Sequence, residues 1–441
     1  MRVLALLLFC LLTPLAAWAQ QDQGDRGYIQ GLLEDALSAP GRTVRIEGFA
    51  GALSSRATID KITVTDPEGV WLTATDLALS WSRTALLKGA IEIDEISIGR
   101  IDLPRAPVPA ETTLPSPEAQ AAFTLPELPV SVDIAKLAIA RTVLGAPILG
   151  QEAELSLAGS AALSGGAGTA KLTVERLDKS GSFALSGGFD NTSRVLTLDL
   201  SLEEPAGGIA VSTLGLPGQP ALQLAIAGKD PIGDFTATLR LATDGKDRLT
   251  GTATLITDAA GANRFALDIG GDVAPVLLPE FAGFLGDRVA LKAEGARDTD
   301  GALALDTLRL ATAAMQLDGS ARIGADGWPR KLALDGRIAP VEGDIVILPL
   351  PGPRTSVTGV TFTAGFDDSA GEAWSIAGRM TGFARPDLTL ATAGFTGAGR
   401  ISRGEGWVTG QVQLDARGLA PTDPALARAL GDNLRGRFGF D

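Results

Sequence analysis

Four short stretches of this chain carry residue types that could do chemistry. Asp298-Thr299-Asp300-Gly301 has the carboxylates and turn glycine of a calcium loop. Aligned on Gly301, an EF-hand loop would begin at Ala296 and end at Thr307, so its first and last carboxylates are missing and a turn is expected. Gly404-Glu405-Gly406 with Gly410 has the wrong spacing for a dinucleotide loop and sits among strand-like sequence, with no following helix to hold a phosphate. Glu203-Glu204 and Asp367-Asp368 pair carboxylates at adjacent positions, which strands send to opposite faces; both pairs read as solvated turns. No lysine has a serine three residues before it, so a Ser-x-x-Lys nucleophile is absent.

What is missing restricts function further. The sequence has no histidine, which removes Ser-His and Cys-His nucleophiles, zincin-type metal sites and imidazole bases. Its one cysteine, Cys10, lies in the first apolar run and follows Phe9, where a lipoprotein cysteine would follow a small residue, so disulfides and thiolate metal sites are excluded from the rest. Formal net charge is −14, which opposes long-range attraction to nucleic acid and to anionic headgroups. No catalytic, cofactor or metal-binding residue is expected, and the chain does not read as an enzyme.

The elements begin with an export signal. Met1-Arg2 is followed by an apolar core (Leu6, Leu7, Leu8, Phe9, Leu11, Leu12), Pro14, and Ala17-Trp18-Ala19 before Gln20. These are the parts of a secretory signal peptide, with Ala17 and Ala19 at the cleavage site. The seventeen uncharged residues from Val3 to Ala19 are also at the lower limit of a membrane-spanning helix, so a retained anchor is the alternative. Either way the remainder is exported. Residues 25–38 then place Ile29, Leu32, Leu33, Ala36 and Leu37 at helical spacing, a short amphipathic helix suited to capping a sheet edge, with a membrane-surface helix of little positive charge as the alternative.

The rest is organised by one recurring phrase, apolar residues at i, i+3 and i+5. It appears as Ile59/Ile62/Val64, Ala74/Leu77/Leu79, Ile93/Ile96/Ile98, Ile134/Leu137/Ile139 and Leu305/Leu308/Leu310. A plain strand repeats every second residue, so this spacing shares a face only if a β-bulge inserts one residue. Strands are predicted at 43–49, 57–65, 70–81 and 90–103, completing a module over residues 20–105. Residues 106–129 form a Pro-rich linker or loop, since there are seven prolines from Pro104 through Pro129, both included. Residues 130–441 read as a repeated β region with helical breaks near 273–285 and 422–434. The fold class is mainly β: an elongated, twisted antiparallel sheet of bulged strands with an apolar groove and a few short capping helices. Strict alternation commits Leu196, Leu198 and Leu200 to one face, and Leu222, Leu224, Leu239 and Leu334 follow the same rule. These seven leucines are the candidate lining of the groove. A sheet closed on itself as a sandwich is the other way to cover them.

Three stretches, Gly48-Phe49-Ala50-Gly51-Ala52-Leu53-Ser54-Ser55-Arg56-Ala57, Gly69-Val70-Trp71-Leu72 and Trp81-Ser82-Arg83-Thr84-Ala85-Leu86-Leu87-Lys88-Gly89, stand in this order. Together they resemble the TamB family, the periplasmic subunits of the bacterial translocation and assembly module, in their alphaproteobacterial form. Glu204-Pro205-Ala206-Gly207-Gly208, Leu214-Gly215-Leu216-Pro217-Gly218 and Leu348-Pro349-Leu350-Pro351-Gly352 are similar to the same family. The resemblance implies an AsmA-like, inner-membrane-anchored groove of β structure in the periplasm. It also implies movement of phospholipid between membranes, assembly of autotransporters, and an outer-membrane barrel of the Omp85 type as partner. The chain ends at Phe438-Gly439-Phe440-Asp441, well short of the family's length, so the domain that would meet the barrel is expected to lie outside it and barrel binding is carried to no residue here.

Overall fold

The computed structural model describes residues 24–39, 41–51, 55–108, 123–258, 261–341, 343–404 and 407–440. The chain divides into two compact units, Met1–Gly215 and Leu216–Asp441.

In the first unit helix α1 (Gly24–Leu37) precedes β1 (Thr43–Glu47), β2 (Arg56–Asp66), β3 (Gly69–Trp81), α2 (Arg83–Leu86) and β4 (Ala90–Leu103). There follow β5 (Ser131–Leu144), α3 (Ala146–Leu149), β6 (Ala153–Ser164), β7 (Ala167–Arg176), β8 (Ser182–Asp190), β9 (Val195–Glu204) and α4 (Ile209–Thr213). Each strand pairs with the next, and among the described residues no pairing joins β1 to β9, so this sheet is not closed.

All five bulges expected from the recurring phrase are present. Ile59 faces Leu77 and Ile62 faces Ala74, with Asp60 and Asp76 squeezed out of the ladder between them. Glu95 faces Ser80 and Ile93 faces Trp81, so Asp94 is the extra residue of β4. The register also shifts between Ile134 and Leu137 and between Leu305 and Leu308. Asp76 takes a left-handed φ of 56°, uncommon for a side-chain-bearing residue, and a Cβ at Gly99 on β4 would lie 2.7 Å from its own Cβ. The bulge therefore depends on glycine next door.

One pairing differs from the antiparallel expectation: β4 and β5 run parallel, with Ile93 beside Ile134, Ile96 beside Leu137 and Ile98 beside Ile139. Parallel neighbours need a crossover longer than any hairpin turn, and the Pro-rich run between Leu103 and Ser131 is that crossover. Their matched bulges keep three apolar rows aligned across the joint.

The second unit contains β10 (Leu222–Pro231), β11 (Asp234–Thr243), β12 (Lys246–Thr257), β13 (Asn263–Gly271), α5 (Ala274–Leu277), a 3₁₀ turn (Pro279–Phe281), α6 (Ala282–Leu285) and β14 (Val289–Arg297). It continues through β15 (Leu303–Ala311), β16 (Met315–Ile323), β17 (Pro329–Ile338), β18 (Val346–Ile347), β19 (Ser356–Val357), β20 (Gly359–Asp367) and β21 (Ala373–Arg385). It ends with β22 (Leu388–Ile401), β23 (Val408–Arg417), β24 (Ala420–Pro421), α7 (Pro424–Leu430) and β25 (Asn433–Phe440). Antiparallel pairing runs in chain order except that β17 pairs β20 and β23 pairs β25. The small β18–β19 hairpin and β24 lie at the ends of their neighbours.

The helix expected over 273–285 is broken into three short turns, because Pro279 cannot continue the hydrogen bonding of α5. The one expected over 422–434 stops early. Asp423 caps α7 through the N–H groups of Ala425 and Leu426, Gly431 ends it at φ 66°, and Asn433 onward is strand.

Apart from the parallel β4–β5 pair, neighbouring strands run in opposite directions, so connections alternate between two ends of each sheet. In unit two α5, α6 and α7 all lie at one end, where Phe284, Ala314, Val346 and Val357 form a buried cluster with Met315, Ile338, Val360 and Met380 against it. In unit one α1 lies on Val44, Ile46 and Val64. In unit two the connections at the opposite end are short.

Candidate functional site

Cα partners across a sheet share a face, so the register fixes which side chains form rows. In unit one Leu196, Phe189, Gly168, Leu163 and Val132 form one row. Leu198, Gly187, Ala170, Ala161 and Ile134 form the next, and Leu200, Leu185, Leu172, Gly159 and Leu137 a third. Through the parallel joint the third row runs on to Ile96, Leu79 and Ala57. The reverse face carries Thr169, Lys171, Thr173 and Glu175 on β7 and Thr197, Asp199, Ser201 and Glu203 on β9.

The middle of the apolar side is uncovered. Ala161 and Ala170 are solvent-exposed, and Leu196, Leu198 and Leu200 are half-buried. A Cβ added to Gly187 would meet only the carbonyl oxygen of Thr197, at 3.8 Å. Small side chains thus make a low row between two rows that carry Leu and Phe.

Unit two repeats the division with a different filling. Leu224 faces Leu241 and Leu239 faces Ile226, so both leucines share one face. From Leu239 the row passes through Gly251, Ile269, Leu291, Leu310 and Leu317 to Gly336, two residues from Leu334 on β17. Leu224, Leu239 and Leu334 are half-buried, whereas Leu222 is only 2 % exposed and belongs to the covered end beside Ala242 and Thr243.

Aromatic side chains on this face lie opposite glycines: Phe265 faces Gly295, Phe362 faces Gly336, Phe395 faces Gly378 and Trp374 faces Gly399. A Cβ at Gly295 would sit 2.7 Å from Cζ of Phe265, and Cβ atoms at Gly336, Gly378 and Gly410 would overlap Phe362, Phe395 and Trp374. The rings therefore lie down over the neighbouring strand. Trp374 also stacks on Phe440, centroids 6.0 Å apart at 15°. The reverse face holds exposed ion pairs, Lys292–Asp268 at 2.7 Å, Arg309–Asp318 at 3.1 Å and Arg435–Asp415 at 2.8 Å. Such pairs keep that side wet and add little stability.

The motifs that invited a chemical reading have structural roles. Asp298-Thr299-Asp300-Gly301 is the β14–β15 turn: Asp298 accepts the Gly301 N–H at 2.9 Å, and Asp300 Oδ1 accepts that of Ala302 at 2.9 Å. Glu204 is not a solvated turn residue, because its carboxylate accepts the Ile209 and Ala210 N–H groups at 3.1 and 2.7 Å. Asp367 takes the Ser369 hydroxyl at 2.6 Å, which holds its carboxyl below the usual range, while Asp368 pairs with Arg330 at 2.8 Å. Gly404 ends the described part of its loop; Glu405 and Gly406 lie outside the described residues.

At the start of the crossover Arg105 donates to Asp66 at 2.5 and 2.8 Å, and Asp66 Oδ2 also takes the Val108 N–H at 2.9 Å. The Arg105 guanidinium first, then the backbone donors, hold the Asp66 carboxyl well below the ordinary carboxylate range against the desolvation of its site.

Leu6, Leu7, Leu8, Phe9, Leu11, Leu12, Ala17 and Ala19 lie outside the described residues. Among the described residues no helix is long and apolar enough to cross a membrane, and no group of three or more Asp, Glu, His or Cys side chains is placed to hold a metal. Reading the sequence missed Ala161, Ala170 and Gly187, and the glycines beneath the rings. Their signal is glycine or alanine at an inward position of a strand, where a larger apolar residue is expected. Comparison with family models, with curated proteins and with solved structures finds no match to this chain.

Proposed function

We propose that this chain is a non-enzymatic protein of the bacterial envelope, similar to the TamB family. In this reading its bulk lies in the periplasm, held by an inner-membrane anchor or released by signal cleavage, and its apolar sheet faces form a groove that carries phospholipid acyl chains between inner and outer membrane. It thereby supports assembly of outer-membrane proteins such as autotransporters. An Omp85-type outer-membrane barrel is the partner of the wider family.

The observation that carries the reading is the exposure of Ala161 and Ala170 in the centre of an otherwise apolar face. A closed β-sandwich scaffold, the competing reading, would bury its central inward-facing residues against a second layer. Here the described buried apolar side chains of unit one are mainly near strand ends and loops, such as Val44, Val132, Ala153 and Val211. An acyl chain laid along such rows gains roughly 0.8 kcal/mol per methylene removed from water while its headgroup stays wet. No charge pairing is needed, which suits mixed phospholipids.

The test is Leu198→Asp, followed by circular dichroism, beside photocrosslinking from position 198 in cells. On an open face the aspartate stays hydrated, so the fold persists while lipid passage falls, and the wild-type position yields a phospholipid adduct. Unfolding of the variant with no adduct at 198 would instead establish a closed core.

A further inference from the structure

One end of the unit-one face is occupied by the chain itself. Just before β5, Phe123 sets its ring edge-on to Phe189, centroids 5.0 Å apart at 71°. Leu125 lies over Gly168, since a Cβ there would come within 2.9 Å of Leu125 Cδ1. Phe189 and Gly168 belong to one inward row, so this short stretch rests on the apolar side of the sheet. Phe189 is 6 % exposed, although Leu196 and Leu163 in its row are only half-buried.

Side chains, not a strand ladder, hold the stretch. The Asn191 carboxamide accepts the Leu125 N–H at 2.8 Å and donates to the Leu125 carbonyl at 2.9 Å, reproducing the two-bond exchange of a strand partner. Arg194 donates to the Phe123 carbonyl at 2.8 Å and sets its guanidinium 5.5 Å over the Phe189 ring. Arg194 does so from a left-handed φ of 59°, and Asn191 hangs over Gly166 at φ 75°. Two neighbouring turns are thus shaped around a peptide backbone. Yet Phe123 remains 53 % exposed, so its hold on the face is partial.

We propose that Asn191, Arg194 and Phe189 form a clasp for an extended apolar peptide, filled in cis by Phe123–Leu125, and that this peptide and an acyl chain exclude each other at the turn end of the unit-one face. The inference rests on the lipid-groove reading. Among the described residues, release of the stretch breaks three side-chain hydrogen bonds and a ring contact but no pairing between strands, so it exposes the Leu196 row without unfolding the sheet.

The experiment places a photocrosslinker at position 196, in the clasp row, or at 200, two rows away, in the full chain in cells. Each is compared with the same protein carrying Asn191→Ala and Phe123→Ala. Phospholipid adduct at 196 should rise at least fivefold on release, with adduct at 200 unchanged. Equal adduct at 196 with and without the clasp, while 200 crosslinks normally, would overturn the exclusion and leave the groove standing. No adduct at either position in either protein would overturn both. Phe123→Ala alone, at a half-exposed side chain outside any strand, keeps the comparison valid if the double variant misfolds. Independently, lysophosphatidylcholine added to the purified chain should accelerate hydrogen exchange of the Leu125 amide at least tenfold, and unchanged exchange would overturn the proposal.

Discussion

The two units meet the same physical demand with different side chains. Each presents one apolar side of a single-layer sheet, and neither supplies enough helix to cover it. Unit one fills its rows with Ile and Leu on bulged strands and leaves a low path of Ala161, Ala170 and Gly187. Unit two alternates large rings with glycine, so that Phe265, Phe362, Phe395 and Trp374 lie across the strand beside them. The space over Gly187 is open, which leaves the Leu rows beside it as walls, whereas a ring laid over glycine makes a floor. The first is insensitive to a methyl added on its low path, whereas the second has no room for one.

The largest contrast to be broken is between covered end and open middle. Phe284 is 6 % exposed in the cap cluster of unit two, and Phe284→Ala should cost about 3–5 kcal/mol in urea unfolding followed by tryptophan fluorescence. Leu198→Ala, on the half-buried row of unit one, should cost well under half as much, because its neighbourhood is already open to water. Equal losses at the two sites would mean that the middle is as tightly packed as the end.

A second pair of changes tests floor against wall. Gly336→Val puts branched carbon into the Phe362 ring and should destabilise unit two by roughly 1–3 kcal/mol. Phe362→Ala in the same protein should recover part of that loss, a non-additivity expected only for groups in direct contact. Gly187→Ala, with just a carbonyl oxygen at 3.8 Å, should change stability by no more than about 0.5 kcal/mol. If Gly187→Ala proved as costly as Gly336→Val, the low path of unit one would be filled.

These contrasts also show what the sequence disclosed. The bulged phrase was legible because its spacing is local: Ile59, Ile62 and Val64 share a face only with an extra residue, whatever strand lies beside them. The alternation at Leu196, Leu198 and Leu200 was legible for the same reason. Pairing was not, since nothing in Ile93-Asp94-Glu95-Ile96 tells an antiparallel partner from a parallel one, and the β4–β5 joint was missed. The ring-over-glycine pairs were equally hidden, because Phe265 and Gly295 are thirty residues apart and meet only in the register. Leu434 fitted the helical spacing of Leu426 and Leu430, yet the left-handed turn at Gly431 returned it to a strand. Leu222 obeyed the alternation but fell at a covered end, which depends on where the helices cap the sheet.

The smallest effect concerns the two described ends of the crossover, which are tied down by different chemistry. Asn191 holds its end with a neutral carboxamide, whereas Asp66 holds the other through Arg105, with Glu68 a distant second carboxylate at 4.0 Å. The Asp66 carboxyl is depressed in the folded chain, so its contribution to stability is fully present above the unfolded carboxylate value, near 3.9, and is lost only as pH falls through the lower folded value. Between pH 7 and about pH 4 the Arg105 end should therefore stay fixed, and the Val108 amide, which donates to Asp66, should keep its NMR chemical shift. Further acid should move the Val108 signal before that of Leu125, whose acceptor, the Asn191 carboxamide, does not titrate. Asp66→Asn should abolish the Val108 transition and leave Leu125 unmoved. Simultaneous loss of both signals would show that the crossover releases as one unit, making the ion pair and the carboxamide a single fastening.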